Sequence, residues 1–167
     1  MPSRVCEAAD FTKMIATLGE AEYRRAGLER LVESRILTEK EFFAGGAYLA
    51  GRAVESMLRS LIWKFDSEVR SGKVSLATGH DLRDMLVAIE NLGVLADYER
   101  RDRFSFQIQS ISRLWFNNMR FVPYVKLKAL WWQYRVIGRR RTLKKAISDY
   151  YNVCADVVKM CEVLCQK

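Results

Sequence analysis

The chain has 167 residues, half of them apolar and 29% charged, the balance of a globular domain and not of a disordered segment. No apolar run reaches the roughly 18 residues of a membrane helix, so no membrane partner is expected. The net charge of +8 is unevenly placed: residues 1–100 hold 14 basic and 16 acidic side chains (net −2), residues 101–167 hold 14 and 4 (net +10). One-sided basicity points to a polyanionic partner. The length fits one domain, residues 1–167, with a sizeable core. Met1–Phe11 carries Glu7 and Asp10 and no apolar stretch; no secretion signal is expected, and a cytoplasmic location is. There is one histidine, no glycine-rich phosphate loop and no metal-ligand spacing, so neither metal nor cofactor is expected.

Pro2 and Pro123 are the only prolines, so helix is open to almost the whole chain. A first helix is expected over Asp10–Ile36, with Phe11, Met14, Ile15, Leu18, Leu28, Leu31 and Val32 as its inner stripe and Gly19 and Gly27 as points of weakness. Thr38-Glu39-Lys40-Glu41 reads as a capping box opening a second helix that runs to about Ser71 and closes at Gly72. Its inner face would hold Phe43, Ala47, Ala50, Val54, Met57, Leu58, Leu61 and Phe65. Gly45, Gly46 and Gly51 thin one end, as a tight helix crossing requires. Glu55 stands three residues after Arg52 and four before Arg59, either a solvated set or a buried polar anchor.

Gly72–Gly79 reads as a loop. A third helix is expected over Asp81–Asn91, with Leu82, Met85, Leu86 and Ile89 inward and Gly93 ending it. His80 would be an element of that helix's start, a reading preferred over acid–base catalysis. A fourth covers Asp97–Met119, with Phe104, Ile108, Ile111 and Trp115 on one face. Pro123 disfavours helix at Val122. A fifth spans Tyr124–Ile137, broken by Gly138, and the last runs from Thr142 to Cys165. Cys154, Cys161 and Cys165 share a stripe with Val157 and Val158 and read as core packing; nothing is read from Cys6. No strand-like alternation appears. The expectation is an all-α, mainly up-and-down bundle of five to six helices.

The helix sequence Tyr48-Leu49-Ala50-Gly51-Arg52-Ala53-Val54-Glu55-Ser56-Met57-Leu58-Arg59, then Gly79-His80-Asp81-Leu82, then Arg120-Phe121-Val122-Pro123 occur in the order and spacing of one family. Together they resemble the HEPN (higher-eukaryote and prokaryote nucleotide-binding) domains over Phe11–Cys165, with residues 120–145 a basic elaboration. The resemblance implies a helical bundle, often homodimeric. Members include metal-independent endoribonucleases of toxin–antitoxin or defence systems, binders of RNA or nucleotides, and partners of an antitoxin or a nucleotidyltransferase. Nuclease members carry an arginine followed four to six residues later by histidine. Here Arg113 is followed at that distance by Asn117 and Asn118, which cannot shuttle a proton near neutral pH.

Two further features bear on binding. Trp115, Trp131, Trp132 and Tyr134 interleave with Arg113, Arg120, Lys126, Lys128 and Arg135, which suits single-stranded nucleic acid as well as a core or dimer interface. Arg139, Arg140, Arg141, Lys144 and Lys145 form the densest basic run, at a helix start where an anion would be favoured. The expectation is therefore a non-catalytic domain binding RNA or nucleotide through this run, with Arg113 and Arg120 a second, more enclosed site. The alternatives are an endoribonuclease with a degenerate centre at Arg113, Asn117 and Arg120, and a protein-interaction module.

Overall fold

Freedom from proline and the 3.6-residue periodicity produce helix in nearly every segment of the computed structural model, which describes residues 18–74, 79–138 and 141–166. Seven α-helices occur among them: α1 (Glu20–Glu39), α2 (Phe43–Phe65), α3 (Ser67–Arg70), α4 (Leu82–Asn91), α5 (Arg101–Ser112), α6 (Tyr124–Gln133) and α7 (Leu143–Leu164). A 3₁₀ turn, Asn117–Phe121, separates α5 from α6. No strand forms among the described residues beyond an isolated bridge between Gly138 and Arg141. The fold is all-α, as the sequence implies.

The bundle is organised around α2. Ala47, Ala50, Ala53, Val54, Met57, Leu58 and Leu61 have no exposed surface. Helix α1 packs antiparallel along α2, so that Gly27 meets Met57 and Ala53 near one end while the Ser34 hydroxyl donates to the Gly46 carbonyl (2.8 Å) near the other. Helix α7 covers another side of α2, with Cys154, Val157, Val158, Cys161 and Leu164 buried. Helices α4 and α5 complete the core through Leu82, Met85, Leu86 and Ile89, and through Phe104, Ile108 and Ile111. The inner faces expected of α2, α4, α5 and α7 are the ones observed, except that Phe65 is only partly buried.

The first helix departs from expectation. Leu18, Leu28 and Val32 are exposed (42%, 37% and 50%), whereas Gly27 and Ser34 are buried. Close approach to α2 requires small residues at the contact, so α1 turns Gly27 and Ser34 inward; of its expected stripe within the described residues only Leu31 packs, partly buried, against the core. Phe11, Met14 and Ile15 lie outside the described residues, as does Cys6. Gly19 is the N-cap of α1, and its N–H donates to the Glu22 carboxylate (2.9 Å).

The expected capping box at Thr38–Glu41 does not form. Thr38 is still in the last turn of α1, and its hydroxyl is buried without a hydrogen-bond partner. Glu41 sits in the left-handed region (φ 63°). Its N–H donates to the Thr38 carbonyl (3.1 Å) and that of Phe42 to the Leu37 carbonyl (2.8 Å). These two bonds make a Schellman ending for α1, so the sequence signal for a helix start marks a helix end. The second helix stops earlier than expected, because Asp66 leaves helical geometry and its carboxylate caps α3 by accepting from Glu68 and Val69 N–H. The fourth expected helix loses both ends, to a turn before Arg101 and to the 3₁₀ segment after Ser112. The fifth ends at Gln133, before Gly138, because Arg135 adopts a left-handed conformation (φ 58°).

Candidate nucleic-acid interface

Within α6 the sequence places Tyr124, Lys128 and Trp132 four residues apart, which aligns them on one face. Leu127 and Trp131 face the core. The outward face forms one wall of an open cleft of about 500 Å³. The rest of its lining comes from the start of α2 and the turn before it (Glu41, Phe43) and from the approach to and first turn of α7 (Ile137, Gly138, Arg141, Thr142, Leu143, Lys144). Trp132 and Tyr124 are 57% and 47% exposed, and the Tyr124 ring lies 6.2 Å from that of Phe43. Aromatic faces and cations thus share one concavity.

The described part of the basic run borders this cleft. Lys144 Nζ lies 2.9 Å from Glu41 Oε1. Arg141 and Lys145 both reach Asp149, at 2.9 and 3.0 Å. The Lys145 hydrogen bond, aided by Arg141, holds the Asp149 carboxyl below the ordinary carboxylate range despite some desolvation. Thr142 caps α7 by accepting from Lys145 N–H (3.2 Å). The three described cations of this run, Arg141, Lys144 and Lys145, thus each reach a carboxylate, two of them sharing Asp149. Arg139 and Arg140 lie outside the described residues.

The second expected site is not enclosed. Arg113 ends α5 and Arg120 lies in the 3₁₀ turn, and both are exposed. Arg113 borders a separate depression of about 270 Å³ with Arg83, Glu90, Gln109 and Ser112. Arg120 places its guanidinium 4.7 Å from the Phe121 ring centre. The side-chain oxygen of Asn117 is buried without a partner. Trp115 and Trp131 are core residues, 4% and 1% exposed. The Trp115 Nε1 donates to the Tyr48 carbonyl (3.1 Å) and the Trp131 ring meets that of Tyr150 at 5.5 Å. They cannot serve a dimer surface, whereas Trp132 and Tyr134 remain outward, at 57% and 59% exposure.

A different polar cluster sits on the middle of α2. Glu55 is 1% exposed and accepts from Arg59 Nε (3.0 Å), while Arg52 pairs with its other oxygen. His80 Nδ1 lies 2.8 Å from Glu55 Oε1. A carboxylate only accepts, so Nδ1 carries the hydrogen. The Arg59 guanidinium also donates to the Gly79 carbonyl. Glu55 is thus the buried polar anchor rather than a member of a solvated set. Asp81 caps α4 by accepting from Arg83 N–H (2.8 Å). The Gly79–Asp81 segment is thereby fixed at both ends, and His80 stands at the start of α4 as a structural contact.

The cysteine stripe is core. Burial pushes the thiols of Cys154, Cys161 and Cys165 upward, away from the thiolate needed for nucleophilic or metal chemistry. Among the described residues no group of three or more His, Cys, Asp or Glu is placed to hold a metal ion, and no helix is long and apolar enough to cross a membrane. Comparison with protein-family models, curated proteins and solved structures finds no match for this chain.

Lys128 and Trp132 were visible in the sequence as interleaved cation and aromatic. Tyr124 was missed, although its place one helical turn before Lys128 is a signal that could have found it. Glu41 was missed as well. Its partner Lys144 is 103 positions away, and no local pattern reports such a contact.

Proposed function

We propose that this chain is a non-catalytic, HEPN-like helical domain that binds RNA or a nucleotide through the cleft between α6 and the start of α7. One observation carries the reading: Tyr124, Lys128 and Trp132 of α6 line a single concavity together with Arg141 and Lys144. Exposed aromatic rings stack on any base, and neighbouring cations pair with phosphate. Glu41 and Asp149 hold those cations in place, and phosphate oxygens would take over their bonds on binding. The net charge of +10 over residues 101–167, which already counts Asp149, favours that exchange, since Glu41 offsets only one unit of it.

The test is a labelled single-stranded RNA titrated with wild type, Trp132→Ala, the double variant Arg141→Ala/Lys144→Ala, and His80→Ala. Wild type should bind, weakening steeply with salt. Trp132→Ala should lose roughly 1–3 kcal/mol through stacking. His80→Ala should bind as wild type, and the RNA should remain intact. Absent or salt-independent binding would remove the reading. Cleavage lost on Arg120→Ala would replace it with an endoribonuclease.

A further inference from the structure

Helix α1 leaves an apolar ridge uncovered. Leu28, Val32 and Ile36 follow one another at four-residue spacing, which keeps them on one ridge of the helix. They are 37%, 50% and 49% exposed. Charges flank the ridge in a fixed order. Before it, Arg25 bonds Glu29 at 2.9 Å; after it, Arg35 lies 3.8 Å from Glu39. All four charged side chains are at least half exposed. Their signs are antisymmetric about Val32. Arg25 and Glu39 stand seven residues to either side of it, and Glu29 and Arg35 three residues to either side.

We propose that this ridge pairs with the same ridge of a second copy of the chain, antiparallel, about a two-fold axis at Val32. Such an axis makes every contact occur twice. It sets Leu28 level with the partner's Ile36, Arg25 with the partner's Glu39, and Glu29 with the partner's Arg35. The charges select this register over its rivals. A slip of one turn that sets Leu28 level with the partner's Val32 puts Arg25 level with the partner's Arg35. The opposite slip, with Val32 level with the partner's Ile36, puts Glu29 level with the partner's Glu39. A parallel, in-register pair sets Arg25 beside the partner's Arg25. Each rival brings like charges together, which disfavours it. Burial of the apolar ridge drives the association, and the charges fix its direction. Three apolar side chains from each copy make a small interface and therefore a weak dimer. None of these residues lines the cleft, so the inference stands apart from the RNA reading.

The experiment is sedimentation velocity of the full chain from about 5 to 500 µM, a range that brackets a weak complex. It compares wild type with Val32→Glu, Arg25→Glu, Glu39→Arg and the double variant Arg25→Glu/Glu39→Arg. Each is first checked for helical content and thermal midpoint. Wild type should pass from monomer to dimer as concentration rises. Val32→Glu sets two carboxylates together on the axis and should stay monomeric. Either single reversal should weaken association roughly tenfold, through two mismatched pairs. The double variant should restore it, because it exchanges the signs without changing their match. A wild type that stays monomeric throughout would overturn the proposal; a lowered thermal midpoint in Val32→Glu would then assign the ridge to residues 1–17 of the same chain. A dimer that survives Val32→Glu would also overturn it, by placing the contact on another face. A double variant no better than the single reversals would overturn the antiparallel register.

Discussion

A single carboxylate, Glu55, ties the middle of α2 to the loop entering α4. Its value depends on its partners. With Arg52 and Arg59 beside it a buried charge is tolerated; without it two guanidinium groups lose their counter-charge in a largely dry position. Glu55→Ala should therefore destabilise the fold by about 3 kcal/mol. His80→Ala should cost less than about 1 kcal/mol, because its side chain is 46% exposed. Urea denaturation of the two variants checks both, and an equal loss would make His80 the true anchor. The two spacings around Glu55, to Arg52 and Arg59, were legible in the sequence. Its burial was not, because it depends on which side of α2 the loop from Gly79 crosses.

Asp156 does for α5 and α7 what Glu55 does for α2 and α4. Burial by itself would raise its pKa. The Gln107 (2.7 Å) and Arg103 bonds outweigh that and hold the carboxyl below its usual value. A group depressed in the folded state stabilises above its unfolded pKa, and that contribution disappears as pH falls through the folded value. The stability gap between wild type and Asp156→Asn should be full above the ordinary aspartate range and close as pH falls through the depressed folded value. A gap that widened on acidification would show that the sign is wrong.

At the level of elements, helix crossings are set by where side chains are missing. A Cβ on Gly51 would lie 2.1 Å from the Trp115 ring, whose position is fixed by its bond to Tyr48 and by core packing. Gly51→Ala should cost about 1–3 kcal/mol through overpacking, seen as a lower Tm, whereas Gly45→Ala, with only the Leu37 side chain nearby at 3.0 Å, should cost less. The inner faces of α2, α4, α5 and α7 were legible because large apolar residues recur at helical spacing. The face of α1 was not. There the buried residues are Gly27 and Ser34, and of the predicted apolar stripe Leu31 packs partly against the core while Leu28 and Val32 face outward. The Thr38–Glu41 signature misled for a related reason: capping residues and a Schellman ending draw on the same short polar sequence, and only backbone geometry separates them.

Across the whole molecule, fold class followed from the scarcity of proline and the helical period, while the cleft needed the tertiary structure. The sequence separated a slightly acidic first hundred residues from a strongly basic remainder. The structure then set Glu41, from the acidic part, against Lys144 in the basic part. RNA affinity should fall with salt with a log–log slope that becomes shallower by roughly 1.4 in Arg141→Ala/Lys144→Ala, two phosphate contacts at about 0.7 each. An unchanged slope would place the phosphate contacts elsewhere on the surface.

The position of α7 has a consequence for how the chain acquires its structure. The helix that seals α2 is the last helix along the sequence, and it bonds back to the end of α2 through Lys64 and the Cys165 carbonyl. On a ribosome α1 and α2 emerge early and can pair as a hairpin. The second flank of α2 then has no cover until Leu143–Leu164 has left the exit tunnel. The nascent chain must carry that bare apolar surface while α3 to α6 are made. Closure of this core therefore waits for the α7 segment, and until then the growing polypeptide is a natural client for chaperones that hold exposed helices apart.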